Sequence, residues 1–115
     1  MDRFWKAVGE ATPYEEDQPE QAVQEELARL LGAKREVECN TGYIDLLTDH
    51  LLIEVKSLAC WQKGVGQLVT YGLDYPEHQQ VLYFYDGKPG REIRGACRKL
   101  GVKVAWEVGQ GEGLV

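Results

Sequence analysis

Hydrophobic residues recur along this chain with two different periods. Between residues 17 and 32 the period is helical, with Val23, Leu27, Leu30 and Leu31 on one apolar face. Asp17 reads as the N-cap, Pro19 as a first-turn residue and Glu20 as the third-position member of a capping box, and Gly32 is placed to end the helix. "REVEC", residues 35–39, reads as a strand. "GYIDLLTDHLLIEVKS", residues 42–57, then gives two runs of branched and apolar residues around a single turn. A second helix is expected across about Trp61 to Leu73, and "QVLYFY" (80–85) is a near-continuous apolar strand bounded by "DGKPG". A third helix follows from about Arg91 to Leu100, with Ile93, Ala96, Cys97 and Leu100 on one face, and "VKVAWEV" alternates as a last strand. The order α, three β, α, β, α, β predicts an α/β fold, a mixed central β-sheet flanked by helices with an αβββαβ core and one extra α and β.

A chain of 115 residues can bury one core without disulfides or structural metals. Residues 17–115 read as that single domain. Residues 1–16 read as an arm, with a short apolar cluster at Phe4, Trp5 and Val8 and a solvated acidic part. No apolar run reaches the 18 or so residues of a membrane span, and the amino-terminal residues lack the apolar stretch of a secretory signal. The expected location is the cytoplasm, or the host cytoplasm if the protein is viral. Cys39, Cys60 and Cys97 are odd in number and far apart, which fits three reduced, structurally buried thiols.

Charge narrows the partners. The net charge of −6 disfavours a broad phosphate-binding surface, yet it is unevenly spread. Residues 1–26 hold eight acids against two bases, whereas residues 81–115 hold six bases against four acids. A local basic surface is compatible with that distribution. Arg91, Arg94, Arg98 and Lys99 form its best candidate, on the polar face of the third helix.

The chemistry concentrates at residues 42–57. "TDHL" supplies the turn, and a two-residue loop at Asp49 and His50 makes facing residues sum to 99. Leu46 then opposes Ile53 and Asp45 opposes Glu54. Alternation puts Ile44, Leu46, Ile53 and Val55 on one face and Asp45, Glu54 and Lys56 on the other. Directly opposed carboxylates repel, so they either share a proton or hold a cation. A hard divalent ion with oxygen ligands suits such a pair. Lys56 projects beside them, where it could orient or help deprotonate an attacking water, or stabilise charge on a phosphate. The bland reading of the same residues is a surface ion cluster on a hairpin.

"GYIDLL" followed by "IEVK" resembles the PD-(D/E)XK nuclease superfamily, with Ile44 where the name has proline. The resemblance implies that Asp45 and Glu54 hold magnesium or manganese and that Lys56 serves in-line attack of water on a phosphodiester. Three further matches support it. Many relatives place a glutamate on the preceding helix at the metal, and Glu20 lies in line with Leu27 on the inward face, whereas Glu25 points away and Glu26 flanks. Gln67 and Tyr71 match the Q-x-x-x-Y feature of RecB-type nucleases and their small stand-alone cousins, which implies that Gln67 orients the site. The element order matches the superfamily core. The cysteine spacing of the iron–sulfur subgroup is missing.

On the second helix Trp61, Val65, Leu68, Val69 and Gly72 form the expected packing face, and Lys63, Gln67 and Tyr71 the opposite one, so Lys63 and Tyr71 join Arg91, Arg94 and Arg98 as candidate nucleic-acid contacts. Gly64 and Gly66 each cost up to about 1 kcal/mol in a helix, which points to a close approach of DNA or a neighbouring helix. His50 and His78 carry no assigned role. The resemblance implies DNA as partner, with RNA not excluded by these residues, and a homodimer or higher homo-oligomer as in related minimal nucleases. The expectation is a magnesium-dependent nuclease of endonuclease or junction-specific type. The alternative is a catalytically inactive nuclease-fold module that binds nucleic acid or protein.

Overall fold

The computed structural model describes residues 13–107. The arm cluster at Phe4, Trp5 and Val8 lies outside the described residues, as does Val108. Three helices, α1 (Pro13–Leu31), α2 (Trp61–Tyr71) and α3 (Arg91–Lys99), pack on five strands, β1 (Lys34–Cys39), β2 (Gly42–Leu47), β3 (Leu51–Lys56), β4 (Gln79–Phe84) and β5 (Lys103–Trp106). A single 3-10 turn at Leu58–Cys60 leads from β3 into α2. The strands lie in sequence order. β1, β2 and β3 pair antiparallel, and β3, β4 and β5 pair parallel. The fold is therefore α/β with a mixed sheet, as the element order predicts.

The two parallel crossovers put α2 and α3 on one face, where Leu68, Cys97 and Val102 join Leu52, Leu82 and Phe84 in the larger core. α1 covers the other face, where Val23, Leu27 and Ala28 pack on Leu46, Ile53 and Val55. β3 and β4 are thus covered on both sides, which is why they read as continuous apolar runs.

Helix α1 departs from its sequence pattern in two ways. It begins at Pro13, so Asp17 is not its N-cap, Pro19 sits inside it and Glu20 is not part of a capping box. A proline at the first position suits a helix start, and Pro13 competes with Pro19 for that reading. The boundary expected at residue 17 accordingly falls within the helix. Its inward face is Val23, Gln24, Leu27 and Ala28, whereas Leu30 and Leu31 are 63 % and 45 % exposed. Gln24 is buried because its Oε1 accepts a hydrogen bond from Arg35 at 3.3 Å. Gly32 ends the helix as expected, at φ +66°, with the Ala33 N–H bonded to the Ala28 carbonyl at 3.0 Å.

On α2 the inward residues are Gly64, Val65, Leu68 and Tyr71, and Val69 is exposed. Gly64 causes this rotation of the helix. A Cβ there would lie 2.6 Å from Leu82 Cδ1 and 2.9 Å from Lys56 Cγ, so the close neighbour is the sheet. Gly66 faces open space. We expect Gly64→Ala to lower stability by about 1–3 kcal/mol, as overpacking does, despite alanine's better helix propensity. A denaturant midpoint equal to that of the parent would refute it.

Candidate active site

The hairpin of β2 and β3 has the register read from its sequence. The Thr48 N–H bonds the Leu51 carbonyl at 2.9 Å, and Thr48 Oγ1 accepts the N–H groups of Leu51 (2.8 Å) and His50 (3.2 Å). Leu46 pairs with Ile53 and Leu47 with Leu52. Beyond Leu46 the backbone pairing stops. Side chains take over: the Val55 N–H donates to Asp45 Oδ2 at 2.8 Å, and the Asp45 N–H donates to Glu54 Oε2 at 2.9 Å.

The other side of β2 is interrupted at the same level. β1 pairs Arg35 with Leu46 and Val37 with Ile44, and Glu36 between them is unpaired with φ +52°. Both flanking pairs sum to 81, so no residue is inserted. A non-glycine residue in the left-handed region is uncommon, and here it turns the strand. Arg35 lies on the α1 face, reaching Gln24, whereas Val37 and Ile44 join the α2 core. Ile44 consequently does not share the face of Leu46, Ile53 and Val55, contrary to simple alternation. Asp45 sits at the level where the strand changes sides.

Asp45 and Glu54 are 8 % and 1 % exposed. Burial pushes both carboxyls up, Glu54 to about 9 and Asp45 to about 6, and their mutual repulsion adds to the rise at Glu54. The backbone N–H donors and the positive charge of Lys56 oppose the rise at both. Around neutral pH the pair therefore keeps a proton, which the two carboxyls share. Because both folded-state values lie above the unfolded ones, the associated stability is complete below about pH 4 and is lost as pH rises through about 6 for Asp45 and about 9 for Glu54. In EDTA the unfolding free energy should fall between pH 5 and 9. A flat profile over that range would contradict the proton sharing.

Lys56 closes β3, half-buried, with its stem running over Gly64. Glu20 lines a cavity of about 150 Å³ together with Gln21, Gln24, Glu36 and Asp45. Its charge also reaches Glu54. The structure thus brings Glu20, Asp45, Glu54 and Lys56 to one place, as the sequence suggests. It adds Glu36, whose charge raises Asp45 further and which sequence reading missed. The available signal was the 81-sum register, which sets Glu36 across from Asp45.

The donor set suits a hard cation, since two buried carboxylates hold a proton that a divalent ion would replace. Among the described residues no three His, Cys, Asp or Glu side chains converge tightly enough to ligate an ion by themselves. Glu20 and Glu36 border the cavity without closing on Asp45 and Glu54.

The outer candidates divide. Tyr71 is 7 % exposed and belongs to the core, so it is not a surface contact for nucleic acid. Gln67 is half-buried, and among the described residues its buried Oε1 has no hydrogen-bond partner. Such an acceptor costs about 1–3 kcal/mol unless a donor arrives. Lys63, Arg91 and Arg98 are exposed and Arg94 is half-buried. Lys63 and Arg91 lie near the starts of α2 and α3, at the carboxyl ends of β3 and β4 where Lys56 also lies. Arg98 is a helix length away, about 10 Å at 1.5 Å per residue. Cys97 is buried, Cys39 half-buried and Cys60 exposed at the start of α2, so burial does not hold for all three thiols.

No family model and no solved structure matches the chain. It is similar to three proteins of Acanthamoeba polyphaga mimivirus. Identity is 34 % over 105 residues with the putative KilA-N domain-containing protein L33, covering 90 % of this chain and 43 % of that protein. It is 33 % over 105 residues with the putative KilA-N domain-containing protein L32, covering 89 % and 28 %. It is 30 % over 101 residues with the putative KilA-N domain-containing protein R878, covering 86 % and 28 %. The chain spans less than half the length of each of these relatives. No helix among the described residues is long and apolar enough to cross a membrane.

Proposed function

We propose that this domain acts on nucleic acid and that Asp45, Glu54 and Lys56 form a metal-dependent phosphodiester-hydrolysing centre of the PD-(D/E)XK kind. One observation carries the proposal: two buried carboxylates meet where β2 and β3 part, with a lysine beside them. Two adjacent acids in a buried place are costly to keep, since either both must ionise or one must hold a proton. Asp45 and Glu54 would hold magnesium or manganese, with Glu20 at the cavity rim. Such an ion polarises a phosphate and lowers the pKa of bound water. Lys56 would orient the attacking water and balance negative charge on the phosphate. Lys63 and Arg91 would receive the backbone at the same end of the sheet, and Gln67 Oε1, without a partner among the described residues, would accept a hydrogen bond from the bound assembly. DNA is the favoured substrate, and the working place is the cytoplasm, of the host if the protein is viral.

A second reading has support of its own. The three relatives are named for a domain and none for a catalytic activity, and both carboxylates already serve the fold by accepting backbone N–H groups. A nucleic-acid-binding module without catalysis fits those facts, and the names favour it. The deciding experiment uses labelled duplex, single strand, splayed flap, four-way junction and structured RNA, each with magnesium, manganese or EDTA. Metal-dependent cutting that Lys56→Ala reduces by roughly 10²–10⁴-fold, the usual worth of a positioned proton-transfer group, establishes the nuclease. Binding without cutting by the folded wild-type protein establishes the module.

A further inference from the structure

The loop from β4 to α3 is fixed near both of its ends. Asp86 Oδ1 accepts the Leu58 N–H at 2.9 Å, which ties the loop to the 3-10 turn after β3, and Pro89 is fully buried. Lys88 between them is exposed, and its Nζ lies 5.7 Å from the centre of the Trp106 ring, within reach of a cation–π contact. Trp106 is half-buried. Part of the indole packs on the core that α2 and α3 cover, and the remainder is open to Lys88 and solvent.

Register puts this pair beside the proposed centre. Lys56 on β3 pairs with Phe84 on β4, and Phe84 with Trp106 on β5. Lys56 and Trp106 therefore stand at one level of the sheet, two strand spacings or about 10 Å apart. They also share a face, since the Lys56 stem runs against Gly64 of α2 and Trp106 packs on the same core. Lys63 and Arg91 lie at this end as well. Among the described residues the ion pairs are Arg29 with Glu26 and Arg35 with Glu25, so none of Lys63, Lys88 and Arg91 is neutralised by a carboxylate there.

Cations around an accessible indole suit one kind of ligand. Phosphates take the lysines and the arginine, and the ring takes a base, whichever it is, through the base's π-face. A base inside a duplex has both faces covered by its neighbours, so the ring can receive one only from an unpaired strand. The net charge of −6 points the same way. A long duplex footprint needs a broad basic surface, whereas a few cations serve a short single strand. Lys88 occupies the ring without sealing it, because its flexible stem can swing toward a phosphate while the anchored loop stays in place.

We propose that Trp106 and Lys88 form a stacking site for one unpaired base, so that this domain engages single-stranded or splayed nucleic acid beside Lys56 in preference to continuous duplex. The proposal rests on the reading that the domain acts on nucleic acid and does not require catalysis.

The test is fluorescence anisotropy of a labelled oligonucleotide, as a single strand and as its blunt duplex, with the full chain in EDTA so that nothing is cut. The parent protein should bind the single strand more tightly. Trp106→Leu should weaken single-strand binding roughly ten- to hundredfold, the worth of one stacked base, and change duplex binding by less than about threefold. Lys88→Ala should lower the salt dependence of single-strand binding by one phosphate contact, a slope change of roughly 0.7. This change at an exposed position keeps the question decidable if Trp106→Leu fails to fold. Equal losses on duplex and single strand, or single-strand binding and salt slope that neither variant alters, overturn the proposal. A parent protein that binds neither form overturns it together with the nucleic-acid reading. Single-strand binding that both variants weaken, by a parent that cuts nothing with magnesium, supports the stacking site and refutes the nuclease alone.

Discussion

On the nuclease reading proposed above, Glu54→Gln should take up no magnesium and lose cleavage, yet be at least as stable as the parent protein at pH 8. The parent buries two adjacent carboxyls, and burial together with their mutual repulsion raises their hold on protons. Glutamine reproduces the protonated form: its carbonyl accepts the Asp45 N–H and its amide donates toward the Asp45 carboxylate. It has no proton to lose, so the alkaline loss of stability due to Glu54 disappears. The same change removes the charge a divalent ion needs. Cleavage should fall by about a thousandfold or more, on the scale seen when a group that stabilises developing charge is removed. Denaturant unfolding at pH 6 and pH 9 in EDTA, beside a calorimetric magnesium titration, checks both halves. Magnesium uptake with the parent's stoichiometry would remove Glu54 from the site. A marked loss of stability at pH 8 would show that the pair is ionised in the folded protein.

Phe84→Ala should cost about 3–5 kcal/mol, the range for deleting a buried phenyl group, out of a total of about 5–15 kcal/mol for a domain. Phe84 has no exposed surface and stands in register with Lys56 on β3 and Trp106 on β5. Backbone bonds tie it in from both sides, from the Tyr85 N–H to the Lys56 carbonyl (3.2 Å) and from the Glu107 N–H to the Phe84 carbonyl (2.8 Å). Its loss would leave a void alongside Lys56, so on the proposed nuclease reading cleavage should fall even where the protein remains folded. A denaturant midpoint shifted by less than about 1 kcal/mol equivalent would mean that the core collapses into the void.

The order of elements and the hairpin register were readable from sequence because both rest on strong local signals. A two-residue loop pins the pairs next to it, Leu46 with Ile53 and Leu47 with Leu52, and so brings Asp45 and Glu54 to the point where the ladder ends. The start of α1 was not readable, because Pro13 and Pro19 both suit a first turn. The face of Ile44 was lost because alternation assumes an uninterrupted strand, and the unusual backbone of Glu36 has no signature in a glutamate. Tyr71 was placed on the wrong side of α2 for a related reason. A helical wheel weighs side chains, and it was the missing side chain of Gly64 that turned this helix toward the sheet.

Glu36 has a bearing on how copies of this domain could meet. Among the described residues β1 is an outer strand of the sheet, and an outer strand is a template on which another chain can add. Its exposed Lys34, Arg35, Glu36 and Glu38 place charges along that template, and the left-handed residue in its middle breaks the run of backbone groups that an added strand would need. Growth of the sheet from one molecule into the next is thereby blocked on this side, so edge-to-edge aggregation through β1 is guarded against by the same residue that reshapes the site. A pair of these domains that forms across this side would have to join through side-chain surfaces, with each sheet ending at its own β1.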